Sequence, residues 1–312
     1  ESVVTNTHLQ KKGNDMTFEE FTQKMKHALQ DYFGEELQID AQNMQKNNGV
    51  ELTGLIFMDP NNDIAVTVYL EGFYEEYENG KTMGETVREL IRIYEENRPA
   101  KTLNMDFFLD YEQVKTRLAC RLVNRERNET LLSRAPYQPY LNLAVIACCI
   151  LMGDEFGCGC IVITQEHIER WKIEKERLFR DARENMPRIL RPELMHIEEL
   201  VEEESRTMLR EQMEEKGGQI YILTNTQHFY GAAALLYPGL LEALSGTERR
   251  CFFLLPSSVH EVILLADTGQ EEAARLGEIV REVNGTKYVS EEEYLSDDVY
   301  YYDGRSGMIG LL

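Results

Sequence analysis

The chain has 312 residues, 43% of them hydrophobic, with 33 basic and 55 acidic side chains and a net charge of −22. The hydrophobic share is ordinary for a folded protein of one to two domains, which excludes disorder as the default. The acid excess speaks against a direct nucleic-acid binder that neutralises phosphates with Lys and Arg, and against docking on an anionic membrane.

Residues 1–16 are polar, lack the apolar core of a signal peptide, and are expected to be a flexible tail. Thr17 and Glu20 stand at capping-box spacing, so a helix is expected to start there. Phe18, Phe21, Met25, Leu29 and Tyr32 follow at helical intervals, and Gly34 ends the run. Leu37 to Met44, Val50 to Met58 and Ile64 to Leu70 read as strands, the last two joined by the turn-forming Asp59-Pro60-Asn61-Asn62-Asp63. Gly72 to Gly80 reads as an acidic connection. A helix with Val87, Leu90, Ile91 and Tyr94 on one face comes next, with Pro99 just beyond it. Residues 17–98 alone carry a net charge of −10, which marks a separate N-terminal domain over 17–100.

The remainder, 101–312, opens with a strand over Val114 to Val123 and a polar connection, Arg125 to Arg134. Leu141 to Met152 and Cys158 to Ile163 are apolar at nearly every position and flank Gly153-Asp154-Glu155-Phe156-Gly157. They read as a hairpin covered on both faces. No stretch supplies the roughly 20 apolar residues of a spanning helix. From Gln165 the pattern is helical, with Leu178, Phe179, Ala182 and Met186 on one face. Leu194, Ile197, Val201, Met208 and Gln212 form a second face, set apart by Pro187 and Pro192. Gln219 to Leu223 is a strand leading through Thr224 to Gln227 into an Ala-rich helix, Tyr230 to Leu236. Cys251 to Leu255 and Val259 to Ala266 are paired strands, then a helix carries Ala273, Leu276, Val280 and Val283. The fold class is α+β: a small N-terminal helix–strands–helix unit, then a larger mixed domain with a mostly antiparallel sheet.

The six cysteines form no disulfide framework, and adjacent Cys148 and Cys149 point to opposite faces of a strand. Free buried thiols suit a reducing cytoplasm. Cys158-Gly159-Cys160 lacks the Cys-x₂₋₄-Cys knuckle of structural zinc, so packing thiols are preferred to a metal site. Ser257, Ser258 and His260 occupy a turn, and no Gly-x-Ser-x-Gly elbow accompanies them. No phosphate loop, dinucleotide fingerprint, His-Glu-x-x-His or EF-hand loop occurs, so neither a cofactor nor a catalytic residue is assigned. Thr224 to Tyr230 is the best geometrical candidate for a ligand. A strand passing into a small-residue helix offers free N–H groups to an anion, with Asn225, His228 and Tyr230 as binding residues, although helix capping and tight helix–sheet packing are the preferred account of these residues. Tyr300, Tyr301 and Tyr302, flanked by acids, suit a surface that meets Arg or Lys, although an edge strand with alternating tyrosines is the preferred account.

Met16-Thr17-Phe18-Glu19-Glu20-Phe21, Asn47-Asn48-Gly49-Val50 and Tyr74-Glu75-Glu76-Tyr77-Glu78-Asn79-Gly80 resemble an uncharacterised bacterial family. Ile220-Tyr221-Ile222-Leu223-Thr224-Asn225 with Tyr230-Gly231-Ala232-Ala233 extends the resemblance, which runs from Met16 to the C-terminus. That family is a domain of unknown function common in anaerobic Gram-positive gut bacteria, and it implies no activity or catalytic residue. The function expected is a non-enzymatic cytoplasmic binding or regulatory protein that meets a basic protein through its acidic surface. The alternatives are an enzyme or small-ligand sensor with a pocket near Asn225 and His228, and a nucleic-acid-mimicking accessory protein of a phage or mobile element.

Overall fold

The computed structural model describes residues 16–62, 65–98, 105–153, 157–196, 220–269, 273–285 and 289–312. The chain divides into two compact units, Glu1–Gln45 with Glu51–Asn104, and Lys46–Val50 with Met105–Leu312. The expected tail therefore lies outside the described residues, apart from Met16.

The first unit begins with helix α1 (Phe18–Phe33). Thr17 Oγ1 accepts the Glu20 N–H at 3.2 Å, and Glu20 Oε2 accepts the Thr17 N–H at 3.0 Å, which satisfies two of the first-turn donors. Gly34 closes the helix at φ 66°, a value that favours glycine. Strands β1 (Gln38–Gln45), β2 (Glu51–Met58) and β3 (Val66–Tyr69) form an antiparallel sheet in that order. Register puts Ile39, Leu55, Phe57 and Val68 on one face. These residues share a core with Phe21, Met25 and Leu29 of α1 and with Leu90 and Tyr94 of helix α3 (Met83–Asn97). The segment expected as an acidic connection is instead helix α2 (Glu71–Glu78). Glu75, Glu76 and Glu78 are exposed, Glu71 Oε1 accepts the Thr53 N–H at 2.6 Å, and the Tyr74 and Tyr77 rings each lie 5.3 Å from Phe21. Two tyrosines three apart suffice to anchor two turns of helix whose other positions read as loop.

The second unit holds two antiparallel sheets. In the first, the long strand β6 (Leu143–Gly153) is central. It pairs with β4 (Leu118–Asn124), β5 (Tyr137–Tyr140) and β7 (Gly157–Val162). No residue from Leu143 to Ile150 exceeds 3% exposure, so this strand is covered on both faces. Helix α4 (Tyr111–Val114) precedes β4, and helix α5 (Glu129–Leu132) gives the polar connection one helical turn. Helices α6 (Gln165–Trp171) and α7 (Lys175–Ile189) follow, with α7 packed on β4. Pro187, expected as a boundary, lies inside α7. It removes a single backbone hydrogen bond in the last turn, where the cost is smallest.

The second sheet has the order β13-β12-β10-β11-β9-β8. Its strands are β8 (Pro192–His196), β9 (Ile220–Asn225), β10 (Phe252–Leu255), β11 (Val262–Ala266), β12 (Tyr300–Asp303) and β13 (Met308–Leu311). Leu194 was expected on a helix but sits in β8, paired with Leu223. Pro192 fits there because the first residue of a terminal strand needs no ladder donor. Ile197, Val201, Met208 and Gln212 lie outside the described residues. The tyrosine run also departs from its reading as a partner surface. Strand β12 runs between β10 and β13, Tyr300 is fully buried and Tyr302 is 3% exposed. The Tyr300 hydroxyl donates to Asn142 Oδ1, and half-buried Tyr301 donates to Asp267 Oδ2 at 2.7 Å. Alternation puts two of the three rings into the core.

The Asn47-Asn48-Gly49 turn is held within this unit by side-chain amides. Asn47 donates to the Glu292 carbonyl, and Asn48 to the carbonyls of Glu291 and Tyr294, each at 2.7 Å. Asn48 and Asn128 exchange two further bonds, at 2.9 and 2.8 Å. No helix among the described residues is long and apolar enough to cross a membrane.

Candidate functional site

Strand register assembles a cluster of unlike side chains on one face of the β6 sheet. Arg121 of β4 lies opposite Ile146, and Ala119 lies opposite Cys148. Across the other edge of β6, Cys148 faces Val162 and Ile150 faces Cys160. Directly opposed residues share a face, so Arg121, Cys148 and Cys160 all point the same way, with the two cysteines diagonal neighbours. Cys149 and Cys120 belong to the opposite face.

Arg121 is 6% exposed, pairs with no carboxylate among the described residues, and its Nε has no hydrogen-bond partner. Its guanidinium instead lies 4.7 Å from the centroid of the Tyr230 ring. A desolvated cation–π contact returns about 2 kcal/mol. Burying an unpaired charge costs several kcal/mol, so a nearby anion is required to close the difference. Cys160, on partly exposed β7, is the group on this face that is shifted toward the anion. Its thiol is held below the ordinary range first by a hydrogen bond from Cys148, and then by the Arg121 charge and bonds from Tyr230 and Arg121. Cys148 is driven well above the range, first as the donor to Cys160 and then by burial. Its S–H also has the Ala119 carbonyl at 3.6 Å, so it has an acceptor in either state of Cys160. The other thiols differ: burial pushes Cys120 and Cys149 up to about 12 and Cys158 to about 11.

Tyr230 reaches this cluster through an unusual backbone. It adopts the left-handed conformation (φ 51°, ψ 38°), its N–H donates to His260 Nδ1 at 3.3 Å, and its ring stacks on His260 at 5.6 Å. The next residue, Gly231, admits no side chain, because a Cβ there would lie 2.1 Å from Thr224 Oγ1 and 2.3 Å from the His260 carbonyl.

The remaining residues of the expected ligand site are occupied structurally. Asn225 is 1% exposed. Its Oδ1 accepts the N–H groups of Gln227 and Phe229 at 3.0 and 3.3 Å, and its Nδ2 donates to the Phe229 carbonyl at 2.8 Å. It closes its own loop. His228 is exposed at φ 48°, with Nε2 3.7 Å from Glu193. The expected Ala-rich helix is a six-residue 3₁₀ turn, Gly231–Leu236. Its early donors are spent: Ala232 N–H goes to the Val259 carbonyl and Ala233 N–H to the Tyr230 carbonyl. Two of the donors expected to meet an anion at its start are therefore engaged within the protein. An open groove of about 300 Å³ lies elsewhere, beside Gln138, Phe179, Arg183 and Pro238. Ser258 Oγ caps the His260 N–H at 3.1 Å, a turn contact. Among the described residues no three His, Cys, Asp or Glu side chains group to hold a metal ion.

The structure thus separates Tyr230 from Asn225 and His228 in role and joins it to Cys148 and Cys160. Arg121 completes the group and was not singled out from sequence. Its signal was present as the one charge inside Leu118-Ala119-Cys120-Arg121-Leu122-Val123, a run that is otherwise buried apolar strand.

Among known proteins, the model of a family of unknown function, DUF5688, matches residues 18–304, and the chain belongs to that family. No curated protein and no solved structure matches it.

Proposed function

We propose that this DUF5688 member is a non-enzymatic binding or regulatory protein of the cytoplasm, acting on a basic protein partner through its acidic N-terminal unit. The observation that carries this reading is the division of labour in that unit's helices. Their apolar stripes are buried in the core, while Glu75, Glu78, Glu95 and Glu96 stand exposed on α2 and α3 and form no ion pair among the described residues. Exposed like charges repel one another and weaken the compact state, a cost that a cationic partner removes. Six free cysteines suit a reducing compartment, and the motif resemblance supports an anaerobic Gram-positive gut bacterium as the source.

The test is affinity capture from host lysate at low and high salt, with the Glu75→Gln, Glu78→Gln, Glu95→Gln, Glu96→Gln variant run in parallel. A stoichiometric basic protein held at low salt, released at high salt and missed by the variant supports the reading. Equal capture by the variant refutes it.

A further inference from the structure

We propose that Cys160 is an oxidation site: its sulfur, on the sheet face it shares with Cys148 and with buried Arg121, takes an oxygen from a small hydroperoxide. Three geometric facts carry this inference. Strand register brings Cys160 and Cys148 together on the face that Arg121 also occupies. Arg121 is buried with no carboxylate partner among the described residues and with an unsatisfied Nε, so this pocket of the sheet is built around a cation. Cys160 is partly exposed, on a strand whose single hydrogen-bonded neighbour among the described residues is β6, whereas Cys148 behind it is 1% exposed. A reactive cysteine needs an electropositive and partly accessible setting, and among the described cysteines Cys160 meets both conditions.

The groups on the Cys160 side of the sheet are Arg121 from β4, Cys148 from β6, Cys158 on its own strand, and Tyr230 from the loop after β9. Only Arg121 carries a fixed charge, and it favours the thiolate. Chain charge selects the oxidant. A net charge of −22 repels anionic oxidants such as glutathione disulfide, while a small neutral peroxide enters a half-buried site. In the step itself the Cys160 thiolate attacks the terminal oxygen of the hydroperoxide. An S–O bond forms as the O–O bond breaks, the sulfur is oxidised to a sulfenic acid, and the hydroxyl is transferred with its proton. The peroxide is reduced to an alkoxide, which takes a proton from water and leaves as the alcohol, or as water when the oxidant is hydrogen peroxide.

The test treats the full chain with hydrogen peroxide at pH 7 in the presence of dimedone and quantifies the adduct on each cysteine by peptide mass spectrometry. Adduct on Cys160 is expected to form at least about tenfold faster than on Cys158, whose thiol burial holds up at about 11. Arg121→Met is expected to slow Cys160 about tenfold, and Arg121→Lys, which restores the charge, to recover part of that rate. Equal rates at Cys158 and Cys160 in the unmutated chain overturn the proposal without requiring any variant to fold. An unchanged Cys160 rate in a folded Arg121→Met protein overturns it as well.

Discussion

Replacing Asn225 by alanine removes three hydrogen bonds from a side chain that is 1% exposed. Two run from the Gln227 and Phe229 N–H groups to Oδ1, and the third from Nδ2 to the Phe229 carbonyl. A typical bond of this kind contributes about 1 kcal/mol net, and an orphaned buried group costs about 1–3 kcal/mol. Gln227 is exposed and regains water, so its share is at the low end. Both Phe229 groups belong to a half-buried residue and recover less. The expected loss is about 3 kcal/mol, which for a unit of this size lowers Tm by roughly 6–12 °C. Thermal unfolding followed by circular dichroism reads it directly. Asn225→Asp keeps both acceptor contacts but sets a carboxylate against the Phe229 carbonyl, so it is expected to fall between wild type and alanine. A ligand-binding role for Asn225 predicts the opposite pattern, with stability nearly unchanged in both variants. An alanine variant melting within 2 °C of wild type refutes the structural account.

The other expectations concern sites apart from this loop. Gly231→Ala drives a Cβ to within 2.3 Å of the His260 carbonyl and 2.9 Å of Thr224 Cα, both backbone atoms. A loss of about 3 kcal/mol is expected by calorimetry, and adding Thr224→Ala should not rescue it, because the backbone clashes persist. Leu90→Ala empties a fully buried position of the first unit and is expected to cost about 2–5 kcal/mol in urea unfolding at unchanged m-value. Asp40 is held down at about 2, chiefly by its hydrogen bond from Lys26 at 2.7 Å. A depressed carboxyl stabilises the fold above its unfolded value near 4 and loses that contribution as pH falls through 2. Asp40→Asn should therefore melt below wild type at pH 7, and the gap should close between about pH 4 and 2. A gap that stays constant across that range contradicts the assignment.

The parts of this fold that were legible in the sequence are those in which a local rule has a single solution. Thr17 with Glu20 predicts a helix start because two orphan donors are satisfied at once, and the structure forms both bonds. The uninterrupted apolar run at 143–150 predicts a strand covered on both sides, and β6 is one. What stayed illegible depends on partners distant in sequence. Helix α2 looks like loop because its stability comes from two tyrosines that meet Phe21 more than 50 residues away. Leu194 fits a helical stripe, and only β9 makes it a strand. In the tyrosine run the alternation was visible, but the neighbour covering each edge of β12 was not.

The candidate site shows the same division more sharply. Asn225 and His228 stood out because polar residues between a strand and a helix suggest a ligand, yet a loop that must turn tightly uses the same residue types for its own hydrogen bonds. Arg121 was passed over because one charge in a strand reads as an edge position facing water. At 6% exposure it does not face water, and no carboxylate among the described residues balances it. Charge balance then has to be met by a group that is neutral in most settings. Cys148 and Cys160 are such groups that register places on this face, and the Tyr230 ring lies against the guanidinium. A cysteine that counts as a packing thiol in the sequence is shifted toward its thiolate, first by Cys148 and then by an arginine 39 positions away, and neither neighbour can be named before the pairing of β4, β6 and β7 is known.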